Sequence, residues 1–268
     1  MKVKIRNGIA ALRRIPCGSE QVDEGLCGME ADVLEQTPDY EWLRIRMFYG
    51  YEGWIRQESV EPVRGVEKRM TVGSMFTDVR CSPEVRADTI ECLPRGACLE
   101  ITGEEGRWKK VRLPDGRCGF VPEEALLPEW QESGRKFGKM SEKQQREKLV
   151  RTAMGYLGAP YRWGGKTPEG IDCSGLTQMT YLLNGVIIYR DAELKPGYPV
   201  HEIPVSAKRP GDLLYFPGHI ALYLGENRYI HATAAAGAFC VTVNSFSPSD
   251  PEYREDLAGK ILMAGSIF

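Results

Sequence analysis

Histidine is scarce in this sequence, with three residues in 268. Any imidazole chemistry must therefore run through His201, His219 or His231. None of the eight cysteines forms a C-x-x-C pair, which weakens a zinc or redox-dithiol reading. Neither sign of charge dominates: 35 Lys and Arg against 37 Asp and Glu leave a net charge of −2. That argues against the positive footprint that nucleic acid or an anionic membrane would select. No apolar run approaches the roughly 20 residues of a membrane helix. Met1 to Asn7 alternates basic and apolar residues with no apolar stretch behind it, so the expected location is cytoplasmic. A leader removed beforehand would turn that expectation toward secretion or the cell wall.

The cysteines are Cys17, Cys27, Cys81, Cys92, Cys98, Cys118, Cys173 and Cys240. An even count could be a disulfide framework, but a chain of this length can bury a core without staples. Reduced thiols are expected. The six cysteines before residue 129 read as small buried apolar residues.

The chain reads as two halves. Up to about Pro128, short alternating segments are punctuated by Gly, Pro and Asp, the pattern of strands and turns. This half repeats itself. Trp42-Leu43-Arg44-Ile45-Arg46 aligns without gaps with Trp108-Lys109-Lys110-Val111-Arg112. At the same offset Gly50 meets Gly116, Gly53 meets Gly119, Trp54 meets Phe120 and Pro62 meets Pro128. Such a duplication predicts two small β-barrels of about 60 residues each. A polar stretch with two glycines follows and reads as a linker. Ser141-Glu142-Lys143-Gln144 is a capping box, and Leu149, Val150, Ala153, Met154 and Leu157 recur behind it at helical spacing. The expected domains are 1–66 and 67–129 for the two barrels, 130–140 for the linker and 141–268 for a catalytic domain.

The second half carries the chemistry. Leu176, Met179, Thr180 and Leu183 follow Cys173 at helical spacing, so Cys173 lies in a first helical turn with Asp172 as N-cap. Unpaired N–H groups and the helix dipole there favour a thiolate, so a lowered thiol pKa is expected. His219 and His231 lie in two strand-like segments joined by a short Gly-Glu-Asn turn. Antiparallel pairing would set them side by side at a sheet edge, one as base and the other orienting it. His201 lies in a Pro-rich loop and is given no role. A lone cysteine is usually a structural thiol, and a lone strand histidine a satisfied polar residue. The combination outweighs both readings.

Five segments occur in one order: Tyr161-Arg162-Trp163-Gly164-Gly165, Asp172-Cys173-Ser174-Gly175-Leu176, Arg209-Pro210-Gly211-Asp212-Leu213, Gly218-His219 through Gly225, and Tyr229-Ile230-His231-Ala232. This order resembles the NlpC-type family of papain-like cysteine peptidases. The first half, over residues 8–63 and 72–128, resembles bacterial SH3-like (SH3b) modules. The resemblance implies an α+β chain: two SH3-like β-barrels, then a papain-like domain with helices packed on an antiparallel sheet. It implies Cys173 as nucleophile, His219 as general base and His231 as the orienting third residue, with no metal or cofactor.

The two-module arrangement further resembles γ-D-glutamyl-L-diamino-acid endopeptidases, which act on peptidoglycan stem peptides beginning with free L-Ala. Carried over by motif, Tyr161, Asp172 and Ser174 would hold the ammonium, Tyr51 would cap the pocket and Glu20 would be its acidic partner. Arg190 would meet the D-Glu carboxylate through two parallel hydrogen bonds. The implied partner is the L-Ala-γ-D-Glu-diamino-acid peptide, in wall-peptide recycling, with no nucleic acid or membrane partner. A monomer suffices for that chemistry, and the oligomeric state stays open. Rival readings are a secreted hydrolase anchored to intact wall by its SH3b modules, a non-catalytic wall-binding protein, and an amidase or acyltransferase on the same scaffold.

Overall fold

The computed structural model describes every residue except Ser19, Val66, Glu67 and Ala236. The chain divides into two compact units, Met1–Glu129 and Trp130–Phe268.

The first unit is built of strands. β1 (Lys2–Ile5), β2 (Ile9–Arg13), β3 (Gln21–Leu26), β4 (Glu30–Gln36), β5 (Trp42–Met47), β6 (Glu52–Arg56) and β7 (Val60–Pro62) form one sheet in the order β3-β2-β6-β5-β4-β1-β7. β8 (Arg69–Val72), β9 (Phe76–Arg80), β10 (Thr89–Pro94), β11 (Cys98–Glu105), β12 (Trp108–Arg112), β13 (Cys118–Pro122) and β14 (Leu126–Pro128) form another in the order β10-β9-β13-β12-β11-β8-β14. The second order is the first with seven added to every strand, so the repeated sequence is also a repeated topology. Matched positions do matched work. Trp42 and Ile45 of β5 are buried, as are Trp108 and Val111 of β12. Gly50 and Gly116 both turn the chain with positive φ, at 88° and 92°, which a side chain would oppose.

The cysteines of this unit differ from expectation. Cys17, Cys81, Cys92 and Cys118 are exposed, Cys98 is half-buried and Cys27 alone is buried. Cys17 sits at positive φ in a turn, and Cys118 opens β13 on its outward face. Cys27, by contrast, packs with Val72, Val79, Leu93, Leu99 and Val111 in an apolar cluster of the second sheet.

The second unit carries the helices: α1 (Trp130–Phe137), α2 (Glu142–Met154) and, after the short strands β15 (Lys166–Thr167) and β16 (Gly170–Ile171), α3 (Cys173–Leu182). Its remaining strands are β17 (His201–Ile203), β18 (Leu213–Phe216), β19 (His219–Gly225), β20 (Arg228–Thr233), β21 (Cys240–Ser245) and β22 (Met263–Ser266), in the order β17-β22-β18-β19-β20-β21. The stretch 130–140, expected as a linker, is mostly helix α1. Ser133 and Phe137 make its buried face. Gly134 is tolerated inside the helix because it packs on Gly185, whose carbonyl oxygen would lie 2.7 Å from any added Cβ.

α2 starts as the sequence predicts. The Ser141 side chain accepts from the Gln144 backbone, and the Gln144 side chain accepts from the Ser141 N–H. Buried Arg146 then reaches Asp212, with Nη1 2.9 Å from Oδ1, and donates to the Pro210 carbonyl at 2.9 Å. Asp212 also accepts from the Arg209 N–H and the Ser266 hydroxyl, each at 2.7 Å. The Arg-Pro-Gly-Asp segment thus ties the start of β18 to α2 and β22.

The α+β class expected from the sequence, with two barrels and a helix-packed sheet, is corrected by this structure. Strands take 41% of the chain and helices 15%, so it is mostly β. The first unit contributes fourteen strands and no α-helix among its described residues. In the second unit, no α-helix follows α3 among the described residues, where Gly and Pro interrupt the segments.

Candidate active site

α3 is buried along its whole length, from Cys173 to Leu182. Asp172 is its N-cap: Oδ1 accepts from the Gly175 N–H at 2.6 Å and Oδ2 from the Gly164 N–H at 2.8 Å. Gly175 cannot carry a side chain, since a Cβ there would stand 2.1 Å from the Gly165 carbonyl oxygen. The glycines of Trp-Gly-Gly and Cys-Ser-Gly therefore let the preceding loop close onto the helix start. This sets Cys173 at the end of a rigid, buried helix with its thiol 8% exposed as a residue.

The histidines come from neighbouring strands. β19 and β20 meet through Glu226 and Asn227, both at positive φ, in a two-residue hairpin turn. Leu222 faces Ile230 and Tyr223 faces Tyr229. Continuing that register puts His219 and His231 diagonally on one face. His219 Nε2 lies 2.7 Å from His231 Nδ1, with the rings edge to face. The expectation of a sheet edge is corrected here, because β19 and β20 are interior strands. Interior placement leaves His231 fully buried. Its Nε2 lies 2.8 Å from Asn244 Oδ1 on β21. Sequence reading missed Asn244. The register that sets it beside His231 depends on the pairing of β20 with β21, which no short turn dictates.

Burial governs the ionisation of all three groups. Loss of water pushes the Cys173 thiol up to about 11, and the Asp172 charge adds to this. The Ile220 N–H, the Arg190 charge and the Ser174 N–H pull the other way. Loss of water also takes His219 down to about 4, aided by Arg254 and opposed by Asp256. His231 falls to about 3 by burial and then by neighbouring His219, with the Asn244 hydrogen bond opposing. The lowered thiol pKa expected at a helix start is thus corrected. Desolvation outweighs the helix terminus, and burial favours the neutral forms of the thiol and of both imidazoles.

Arg190 is 1% exposed and lies against the N-cap. Its Nη1 is 3.0 Å from Asp172 Oδ1 and its Nη2 3.1 Å from Asp172 Oδ2. It also donates to the Ser174 hydroxyl at 2.7 Å and the Gly165 carbonyl at 3.2 Å. Arg190, expected to meet a substrate carboxylate, instead makes its paired hydrogen bonds to a carboxylate of its own chain. Ser174 in turn donates to Asp172 at 3.2 Å. Tyr161 is half-buried, and its phenol is pushed up to about 12 by burial and by the charges of Cys173 and Asp172, so it stays a hydrogen-bond donor. Phe239 stands edge-on to it with ring centres 5.7 Å apart. Tyr51 and Glu20 belong to the first unit. Tyr51 is half-buried just after the Gly50 turn, and Glu20 is exposed and paired with Arg14 at 2.9 Å. His201 is exposed on β17.

A buried thiol at a helix start, with a hydrogen-bonded histidine pair on the adjoining strands, is the apparatus of a cysteine peptidase. The NlpC/P60 family model matches residues 158–250, which contain Cys173, His219, His231 and Asn244. Dipeptidyl-peptidase 6 of Lysinibacillus sphaericus is 39% identical over 260 residues, covering 93% of each chain. A γ-D-glutamyl-L-lysine dipeptidyl-peptidase of Bacillus cereus is 26% identical, covering 88% of this chain and 73% of that one. In fold, the chain matches the crystal structure of an NlpC/P60 family protein from Bacillus cereus with a TM-score of 0.80, covering 98% of each at 18% identity. The chain belongs to the NlpC/P60 family of peptidoglycan cysteine peptidases.

Proposed function

We propose that this protein is a γ-D-glutamyl-L-diamino-acid endopeptidase that releases L-Ala-D-Glu from wall stem peptides beginning with free L-Ala. The observation that carries the reading is Cys173 at the α3 start, with the Ile220 N–H at its sulfur and the 2.7 Å histidine pair reached through the adjoining residue His219. Relatives named dipeptidyl-peptidases, two of them for the γ-D-glutamyl-L-lysine bond, support the bond and the free amino end.

Cys173 is the nucleophile, His219 the base and His231 the residue that orients it. Because burial favours the neutral thiol and imidazole, the proton moves from sulfur to His219 as the sulfur attacks the γ-carbonyl of D-Glu. A C–S bond forms and the oxyanion turns toward the first N–H groups of α3, which lack intrahelical partners. The C–N bond then breaks, and the diamino acid leaves with the proton from His219. Water, deprotonated by His219, hydrolyses the thioester and frees L-Ala-D-Glu and the thiol. Asp172, Tyr161 and Ser174 hold the substrate ammonium in this reading, with Asp172 fixed in place by Arg190. Short recycled fragments in the cytoplasm are the proposed substrates.

Mass spectrometry of L-Ala-γ-D-Glu-meso-diaminopimelate, L-Ala-γ-D-Glu-L-Lys and intact sacculi tests this, with Cys173→Ala as the control. Release of L-Ala-D-Glu from the small peptides alone is expected, and none from the variant. N-acetylation of the peptides should stop cleavage. Cleavage of sacculi would point to a wall hydrolase outside the cell, and silence on all three to a binding protein.

A further inference from the structure

The two hydrogen bonds of Asn244 determine which way the protons of the histidine pair point. We propose that Asn244 is a positioning residue that sets the tautomers of His231 and His219, leaving His219 Nδ1 as the bare nitrogen that receives the Cys173 proton.

The Glu252 carbonyl oxygen can only accept, so the Asn244 atom 3.0 Å from it is the amide nitrogen. The Ser245 N–H bonds the same carbonyl at 2.9 Å and holds it in place. The amide oxygen therefore faces His231, and Nε2, 2.8 Å away, carries the hydrogen. A neutral imidazole has one N–H, so His231 Nδ1 is a lone pair. His219 Nε2, 2.7 Å from it, must donate. That leaves Nδ1 of neutral His219 unprotonated. Nδ1 is the ring nitrogen nearer the main chain, and the Cys173 sulfur meets the N–H of the next residue, Ile220.

The sheet builds this polarity in. Tyr229 faces Asn244 and His231 faces Thr242 across β20 and β21, so Asn244 lies diagonal to His231 as His219 does on the other side. Without Asn244, His231 is free to carry its hydrogen on Nδ1. His219 would then accept at Nε2, hold its hydrogen on Nδ1 and present a donor to the thiol. A base in that tautomer cannot take the proton.

The kinetic part of the test rests on the proposed peptidase reading; the spectroscopic part does not. In histidine-labelled protein, ring ¹⁵N spectra contain three residues, and exposed His201 serves as reference. Both His219 and His231 should show the Nε2–H tautomer. Asn244→Ala should shift His231 and His219 toward Nδ1–H and lower kcat by on the order of tenfold to a hundredfold with KM little changed. Asn244→Asp keeps an oxygen at His231, so it should retain the tautomers and recover part of kcat. Its charge should also move the acid limb of the pH profile upward. If Asn244→Ala fails to fold, the tautomers and acid limb of Asn244→Asp decide. Nδ1–H on either ring of the native protein, unchanged tautomers in Asn244→Ala, or an unmoved acid limb in Asn244→Asp would each overturn the proposal. Expected tautomers in a protein that cleaves none of the peptides would sink the peptidase reading and leave this one standing.

Discussion

The two units deploy charge differently. In the first, most ion pairs lie between partly exposed side chains: Arg44 and Arg46 with Glu52, or Arg56 with Glu41. Buried Glu100, paired with half-exposed Arg112 at 3.1 Å, is an exception. The second unit has exposed pairs too, such as Lys136 with Glu132, but two of its pairs go inside on both partners. Asp172 with Arg190 braces the helix start that carries Cys173, and Asp212 with Arg146 braces the strand leading into His219. Exposed pairs add little to stability, and buried ones cost desolvation on both partners. Ion pairs are therefore poorly explained as general stabilisers of this chain. The buried ones stand where a backbone segment must hold one position.

Breaking pairs in each unit sharpens that contrast. The largest effect is expected for Asp212→Ala, which leaves buried Arg146 only half-exposed Glu142 as an acidic partner and takes the acceptor from the Arg209 N–H and the Ser266 hydroxyl, and it should lower the stability of the second unit by about 3 kcal/mol in urea unfolding. A loss below about 1 kcal/mol would mean that water reaches Arg146.

Acid should act next, and on the second unit. The folded pKa values of His219 and His231, about 4 and about 3, lie below the ordinary value of 6.5. The unfolded chain therefore takes up protons first as pH falls. This contribution to stability is complete above 6.5 and is lost as pH drops through about 4. Catalysis needs neutral His219, so the acid limb of kcat/KM should lie near 4 rather than 6.5. A limb centred at 6.5 would show a solvated pair.

The smallest effect belongs to the first unit. Glu52→Gln removes a carboxylate shared by Arg44 and Arg46, all three partly exposed, and should cost less than about 1 kcal/mol. A larger loss would erase the contrast between the units.

Much of the site was legible because its determinants are local. The Asp172 cap and the apolar spacing behind Cys173 specify a helix start. The two-residue turn at Glu226 and Asn227 specifies a hairpin, and the hairpin brings His219 to His231. Asn244 was not legible, because the loop between β20 and β21 leaves their register open. The Arg190 contact was not legible for a related reason. Its sequence neighbours do not reveal that Asp172, in another segment, pairs with its guanidinium.

By itself, the sequence determined the duplication of the first unit, the helix that presents Cys173 and the pairing of the two histidine strands. Each follows from a repeat, a cap or a turn within a few residues. Tertiary structure decided the mostly-β balance, the helix at 130–137, the alignment of Asn244 and the burial that raises the Cys173 thiol and lowers His219. Those outcomes depend on which distant groups exclude water from one another, and burial is a property of the packed chain rather than of any segment.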